Sequence, residues 1–484
     1  MLLSNGRVNV ESAGRPATPL PGNRIFHPRG HVIPRQSHYN GRQHMSQQIP
    51  QFDSEMDSWK RPTTWLVQIV CSLMAAVLCC VAKASDNWPE FRGPSGDGHS
   101  DAVGLPIRWS ETENVKWKVA IHDKGWSSPV IWGKQIWMTT ATVDGKKLFV
   151  ICVDRDSGKI VHDIKLFDVA KPGFCIPTNS YASPTPVVEA GRVYVHFGSY
   201  GTACLDTETG QVLWSRRDLP CDHWRAPGSS PILFGDTLFI NFDGFDLQYV
   251  VALDKKTGET RWKRSRDINY GTDNGDLKKA YCTPRVITVN GTNQLISPSA
   301  VATIAYDPAT GDELWKVYHG GMNAAGRPLF GDGLVFLTTG DAGAPFAGGW
   351  HRLLAIRPNG HGDITKSHVA WTHDKAVPAR SSFLLDGDLL YMVSDNGIAS
   401  CLEARTGKEV WQERLGGNFF ASPILAEGRI YFFDDEGTSH VLQAGREPKV
   451  LAHNRLDAGC MASPALAGKA IFIRTKTHLY RIDQ

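Results

Sequence analysis

The feature that most narrows the folds open to this chain is a repeated word. The segments "CLDTETGQVLW", "ALDKKTGETRW", "AYDPATGDELW" and "CLEARTGKEVW" end at Trp214, Trp262, Trp315 and Trp411. A degenerate copy, "VDRDSGKIVH", ends at His162, and two eroded copies end at Trp371 and His453, making seven. Self-similarity at a period of roughly 20–50 residues belongs to arrays whose units bury their apolar faces against one another.

A second word precedes each copy, in forms such as "WSSPVIWG", "ASPTPVVEAG", "CTPRVITVNG" and "GRPLFGDG". It occurs eight times, the last at Ala462–Lys469. Each leads into short alternating apolar stretches such as "RVYVHFGS" and "RIYFFDDE", the grammar of strands joined by hairpins. The unit is four strands. The eighth unit ends at "THLYRIDQ" without a Trp-bearing fourth strand, whereas "NVKWKVAI", Asn114 to Ile121, carries Trp117 ahead of the first unit. These residues predict an all-β fold: an eight-bladed β-propeller of four-stranded antiparallel blades, its ring closed by the N-terminal strand. In the repeated word, Thr-Gly makes the tight turn between third and fourth strands, where Gly takes a backbone angle that other residues resist. The Trp four residues later offers a large flat face to a neighbouring blade.

The word resembles the tryptophan-docking repeat of the pyrroloquinoline quinone (PQQ)-like propeller family, over essentially residues 88–484. The resemblance implies that Trp117, Trp214, Trp262, Trp315, Trp371 and Trp411 pack between adjacent blades and are structural. It has two branches. Quinoprotein dehydrogenases combine adjacent cysteines with calcium-binding Glu, Asn and Asp beside the quinone. The barrel-assembly lipoprotein of bacterial outer membranes instead uses its propeller to dock proteins.

Residues 1–55 lack apolar periodicity and are expected to be a disordered extension or a mis-called start. Residues 56–84 read as a signal peptide, or a membrane anchor if uncleaved: Lys60 and Arg61 precede an apolar run that closes in Ala82-Lys83-Ala84. An extended segment is expected over 85–113 and the propeller over 114–484. The net charge of +3 comes from the leader, because residues 1–84 hold nine basic and four acidic residues and leave 43 against 45 in the remainder. No basic stripe marks a nucleic-acid partner.

In a propeller the second-to-third and fourth-to-next-first connections share one face. That face receives the long segments "FDVAKPGFCIPTNSYAS", "RRDLPCDHWRAPGSS", "FDGFDLQY", "SRDINYGTDNGDLKKAYCT" and "TGDAGAPFAGGWHR", and long polar loops are where binding concentrates. Asn179, Tyr181, Asp222, His223, Arg225, Asp243, Asp246, Tyr270, Asp273, Asn274 and Asp276 are therefore the ligand-binding candidates at the channel mouth. "TDNGD" reads first as a plain turn, with Asp273, Asn274 and Asp276 as the cation ligands in the alternative reading. "CDHW" offers an Asp-His pair for proton transfer. Cys152, Cys204 and Cys401 read as packed core groups, and Cys175, Cys221, Cys282 and Cys460 are placed where an export route would permit pairing.

No catalytic residue is assigned. Cys79-Cys80, the chain's adjacent cysteine pair, falls in the export segment, and neither a haem-attachment motif nor a kinase signature occurs. The expectation is an exported binding or protein-assembly module at the cell envelope, periplasmic or secreted, monomeric, with a protein or glycan partner. A PQQ-dependent oxidoreductase acting on alcohols or sugars, with PQQ and calcium as cofactors, is the alternative. A carbohydrate-binding propeller using Trp224, Tyr270 and Trp350 is the third.

Overall fold

The computed structural model describes residues 86–341 and 351–484. The expected extension, export segment and Trp350 lie outside the described residues. Among the described residues, no helix is long and apolar enough to cross a membrane.

Blade 1 runs Val130–Trp132, Gln135–Ala141, Lys147–Asp154 and Ile160–Asp168, each strand antiparallel to the next. The pattern repeats to give eight sheets. In blade 8, Ala465–Ala467, Ala470–Arg474 and His478–Ile482 are joined by Val115–Ala120, which lies antiparallel to His478–Ile482. Two sheets gain a short parallel edge. His99–Ser100 lies on the innermost strand of blade 7, and Gly362–Asp363 on the outermost strand of blade 4.

Burial follows strand position. In blade 3, Thr237–Asp243 is buried at every residue, whereas along the outer strand Thr260–Ser265 only Trp262 is buried. The outer strand is thus a polar edge with one inward anchor. Each anchor docks on the next blade: the indole Nε1 of Trp117, Trp214, Trp262, Trp371 and Trp411 donates to the carbonyls of Arg155, Lys255, Pro308, Ala404 and Gly445, at 3.0–3.1 Å. Trp117 belongs to blade 8 and docks on blade 1.

The docking explains the glycine of the word. A Cβ on Gly258, whose φ is +76°, would stand 2.7 Å from the Trp214 ring. The turn glycine thus leaves both a left-handed backbone and a flat seat for the preceding blade's indole. The word's Asp holds the turn from the other side: Asp254 Oδ1 accepts the Lys256 and Thr257 N–H groups at 2.8 and 3.0 Å.

Three junctions depart from this pattern. In blade 7 the outer-strand position equivalent to the Trp holds buried Ala452, one residue before the His453 that the repeated word placed there. Trp315 is fully buried and donates within its own blade to Gln294 Oε1 at 2.8 Å, and Gln294 passes the contact on to Pro358 O of blade 5 at 3.0 Å. The relay fits blade 5, whose turn "RPNGHGD" has lost the repeated word. In blade 1 the outer strand carries His162. Trp137 of the second strand stacks on it at 5.5 Å and donates to Gln135 Oε1, and Gln135 donates to Thr207 O of blade 2 at 2.6 Å.

Trp214→Ala is expected to cost about 3–5 kcal/mol by deleting a buried ring. Gly258→Ala combines a strained φ with a clash against the same ring. Because both act on one junction, the double variant should fall short of the summed single effects, a coupling that denaturant titration of all three variants measures.

Candidate functional site

The second word builds the wall of the central channel. The Ser128 N–H donates to Thr185 Oγ1 at 3.0 Å, Thr185 N–H to Ser230 Oγ at 2.9 Å, and Ser230 N–H to Thr283 Oγ1 at 3.0 Å. The chain resumes from Arg327 N–H to Ser382 Oγ at 2.9 Å and continues through Ser422 and Ser463 at 3.0 and 2.8 Å. It returns from Ser463 N–H to Ser128 Oγ at 3.1 Å. Seven hydroxyls, one per blade, thus stitch the innermost strands into a ring. Blade 5 breaks it, because Arg327 stands where a hydroxyl belongs.

Arg327 has another task. Its guanidinium turns along the channel to Glu90 Oε1 at 2.9 Å and Phe91 O at 2.6 Å. These belong to an N-terminal strap, Trp88 to Ser100, that crosses the channel on the face of the short turns. Trp88 exchanges backbone bonds with Ile131 of blade 1, Pro89 O accepts from Val188 N–H of blade 2, and Gly98 O accepts from Leu425 N–H of blade 7. Arg92, 2% exposed, donates to the carbonyls of Asp97, Phe383 and Pro423. Burial lowers its pKa to about 9 and pushes that of Glu90 up. The extended segment expected over 85–113 is therefore a plug.

With one end plugged, the channel becomes a blind well of about 210 Å³. Phe91 forms its floor, the hydroxyl ring its wall, and its mouth opens among the long loops beside Trp126, Tyr281, Phe420, Met461, Arg225 and Arg380.

Of the eleven candidates, Asn179 and Arg225 line this well. Asp276 reaches its rim, pairing with Arg225 at 2.7 Å and with buried Lys279. Asn179 is a clamp: its Nδ2 donates to Arg225 O at 2.8 Å and holds Trp224, Arg225 and Ala226 at φ of +37°, +79° and +72°. The others stand away from the well lining. Asp243 is buried in a bidentate pair with Arg266 at 2.7–2.9 Å and accepts from Ser299 of blade 4, so it staples two blades. Tyr270 is buried 3.5 Å from Ser299 Oγ, and Tyr181 donates to Gly173 O at 2.7 Å inside its own loop. Asp222 Oδ1 accepts from Trp224 N–H, and Asp246 Oδ1 from Asp222 N–H. His223 Nε2 accepts from Ser199 N–H at 3.0 Å, so "CDHW" holds turns together and forms no Asp-His dyad. Asn274 caps a short helix, Gly275–Lys278, by accepting from Asp276 N–H, and Asp273 is exposed. "TDNGD" is a capped turn.

Sequence reading missed Phe91, Arg327 and the hydroxyl ring. The signal was present, since Ser or Thr stands at the same place in seven of the eight second words. The seven described cysteines are free thiols.

The residues of the well do not fit PQQ with calcium. Calcium takes about six to eight oxygens, several of them carboxylate. The described lining offers Asp341 as its one carboxylate and contains no cysteine, and residues 342–350 add no Asp, Glu, His or Cys. Among the described residues, no three His, Cys, Asp or Glu are grouped to share a metal ion.

Two predictions follow from this geometry. Burial keeps His196, His223 and His319 neutral, with pKa values lowered to about 3, 4 and 4. The unfolded chain binds those protons near pH 6.5 while the native chain does not, so stability falls as pH drops from about 6.5 to 4. Melting temperatures across that window should show the loss, and His223→Gln should flatten it. Arg327→Ala leaves Glu90 buried without its partner and is expected to cost about 3–5 kcal/mol; adding Glu90→Gln should return part of this in a denaturant titration.

The family model described as "Outer membrane protein assembly factor BamB" matches residues 108–303 and 363–446, more than half of the chain. A curated relative of that name from Legionella pneumophila (strain Paris) is 22% identical over 250 residues, 51% of this chain and 48% of its own length. A quinoprotein ethanol dehydrogenase from Pseudomonas aeruginosa is 29% identical over 209 residues, 40% of this chain and 30% of its own length. The chain thus spans about half or less of these relatives. The crystal structure of BamB from Moraxella catarrhalis superposes with a TM-score of 0.52 at 12% identity, covering 76% of this chain and 99% of that one, a likeness of fold. The chain belongs to the BamB family of PQQ-like repeat propellers.

Proposed function

We propose that this protein is an exported binding module for protein assembly at the cell envelope, docking a partner protein on its long-loop face. One observation carries the reading. Phe174, Trp224 and Phe245, from three different loops, meet ring to ring at 5.3 and 5.6 Å and remain 53%, 41% and 37% exposed, with Leu247 beside them at 41%. Water-exposed aromatics gathered in one place are typical of interface hot spots. The patch is built to stay in shape. Arg225 N–H donates to Phe174 O, Asn179 clamps the left-handed stretch from Trp224 to Ala226, and Phe245 N–H donates to Asp222 O. Backbone strain held in place by such clamps concentrates at functional surfaces.

The rim carries exposed Asp222, Asp246 and Asp273, so the partner surface should be apolar at its centre and basic at its edge. Related chains named for outer membrane protein assembly support the same class of role. The oxidoreductase reading loses ground to the donor set of the well.

A photo-crosslinking residue placed at 224 or 245 in the native host should trap one recurrent protein partner. Val450, exposed on the outer strand of blade 7, is the control position and should trap none. Phe174→Ser should lower the adduct yield about ten-fold, as loss of a hot-spot ring does. Equal labelling at 450, or a yield indifferent to Phe174→Ser, would remove the proposal.

A further inference from the structure

The blind well is a second feature of the loop face, independent of the aromatic patch. Its wall hydroxyls have an unusual hydrogen-bond balance. Ser128, Thr185, Ser230, Thr283, Ser422 and Ser463 line it and are 2–6% exposed, and each oxygen accepts one backbone N–H from the neighbouring blade. None of the six donates its own hydrogen to an acceptor among the described residues. A hydroxyl carries one donor, and these six donors open onto the same small space. Buried donors without a protein acceptor are costly unless water or a ligand accepts from them.

The charge beneath the ring has a definite sign. Arg92 bonds Phe383 O and Pro423 O, one residue past the ring hydroxyls of Ser382 and Ser422. Arg285 stands 3.7 Å from Asp97, and Arg327 is paired with Glu90. Three guanidinium groups against two carboxylates leave the closed end positive. The open end differs: Trp126, Phe420 and Met461 give it apolar walls, and Arg225, Lys279 and Arg380 are balanced there by Asp276, Asp395 and the lining carboxylate of Asp341.

We propose that the well binds a small carboxylate with an apolar body, its oxygens accepting from the hydroxyl ring and its body packed between Trp126, Phe420 and Met461. The volume of about 210 Å³ admits a ligand the size of a single substituted ring. Recognition requires neither metal nor quinone. It is an acceptor on a ring of donors, drawn inward by the positive closed end.

Calorimetric titration of the purified chain with benzoate, phenylacetate and isovalerate tests this, with benzyl alcohol and inorganic phosphate as controls. Saturable one-to-one binding of at least one carboxylate is expected, with benzyl alcohol and phosphate inert. Ser230→Ala should weaken binding about ten-fold, the scale of one hydrogen bond to a charged group. Met461→Trp should abolish it by filling the mouth at an unchanged melting temperature. That variant decides the question if Ser230→Ala fails to fold. No binding of any carboxylate at millimolar concentration, phosphate binding as tightly as the carboxylates, or binding indifferent to Met461→Trp would each overturn the proposal. Because Trp224 and Phe245 do not line the well, such a failure would leave the protein-docking reading standing.

Discussion

The structure depends on one contact made again and again: an indole lying on a glycine of the next blade, with its N–H on a carbonyl of the same turn. A blade by itself is a small twisted sheet with a polar outer strand, and it has little core of its own. Seating Trp262 on Gly311, or Trp371 on Gly407, joins each sheet to the next and buries the inner strands of both. Where the indole is lost, the junction survives by substitution: His162 fills the seat against Gly210, and Trp137 with Gln135 supplies the hydrogen bond. The contact therefore constrains the architecture more tightly than it constrains the residue that makes it.

This explains how much could be read in advance. The four-stranded unit, the number of blades and the docking role of five of the six tryptophans follow from a word whose residues act locally, through a turn and an anchor four positions apart. Trp315 departs because its partner blade has an eroded turn, which shows only when the two blades are set side by side. The site was far less legible. Asp243 and Tyr270 sit in polar loop-side sequence yet are buried, because Arg266 and Ser299 reach them from elsewhere in the fold. Arg327 read as a variant of a repeated word, and nothing local announces that its partner is Glu90, 237 positions earlier.

The strap changes what the ring can be used for. An open propeller has a channel through it and two open mouths. This one has a floor, and so one face is closed and the other opens into the well. On the two proposals above, the same long loops would serve two scales at once: their outer aromatics offer area suited to another protein, and their inner residues surround a volume suited to a small molecule. Neither use draws on the metal or redox chemistry of the dehydrogenase branch, whose ligand set this well lacks.

Blade 8 combines residues from opposite ends of the described chain, with Val115–Ala120 waiting for His478–Ile482. During synthesis, seven sheets can stack in sequence while the first outer strand remains without a sheet to join. Only when His478–Ile482 emerges can Val115–Ala120 pair with it and complete the last sheet. Ring closure is thus a late, non-local event, entropically expensive and slow by the general relation between chain separation and folding rate. Until then two strand edges stand exposed, the condition in which β-proteins pair wrongly. A chain of this design gains a stable ring at the cost of a vulnerable interval that lasts until His478–Ile482 is made.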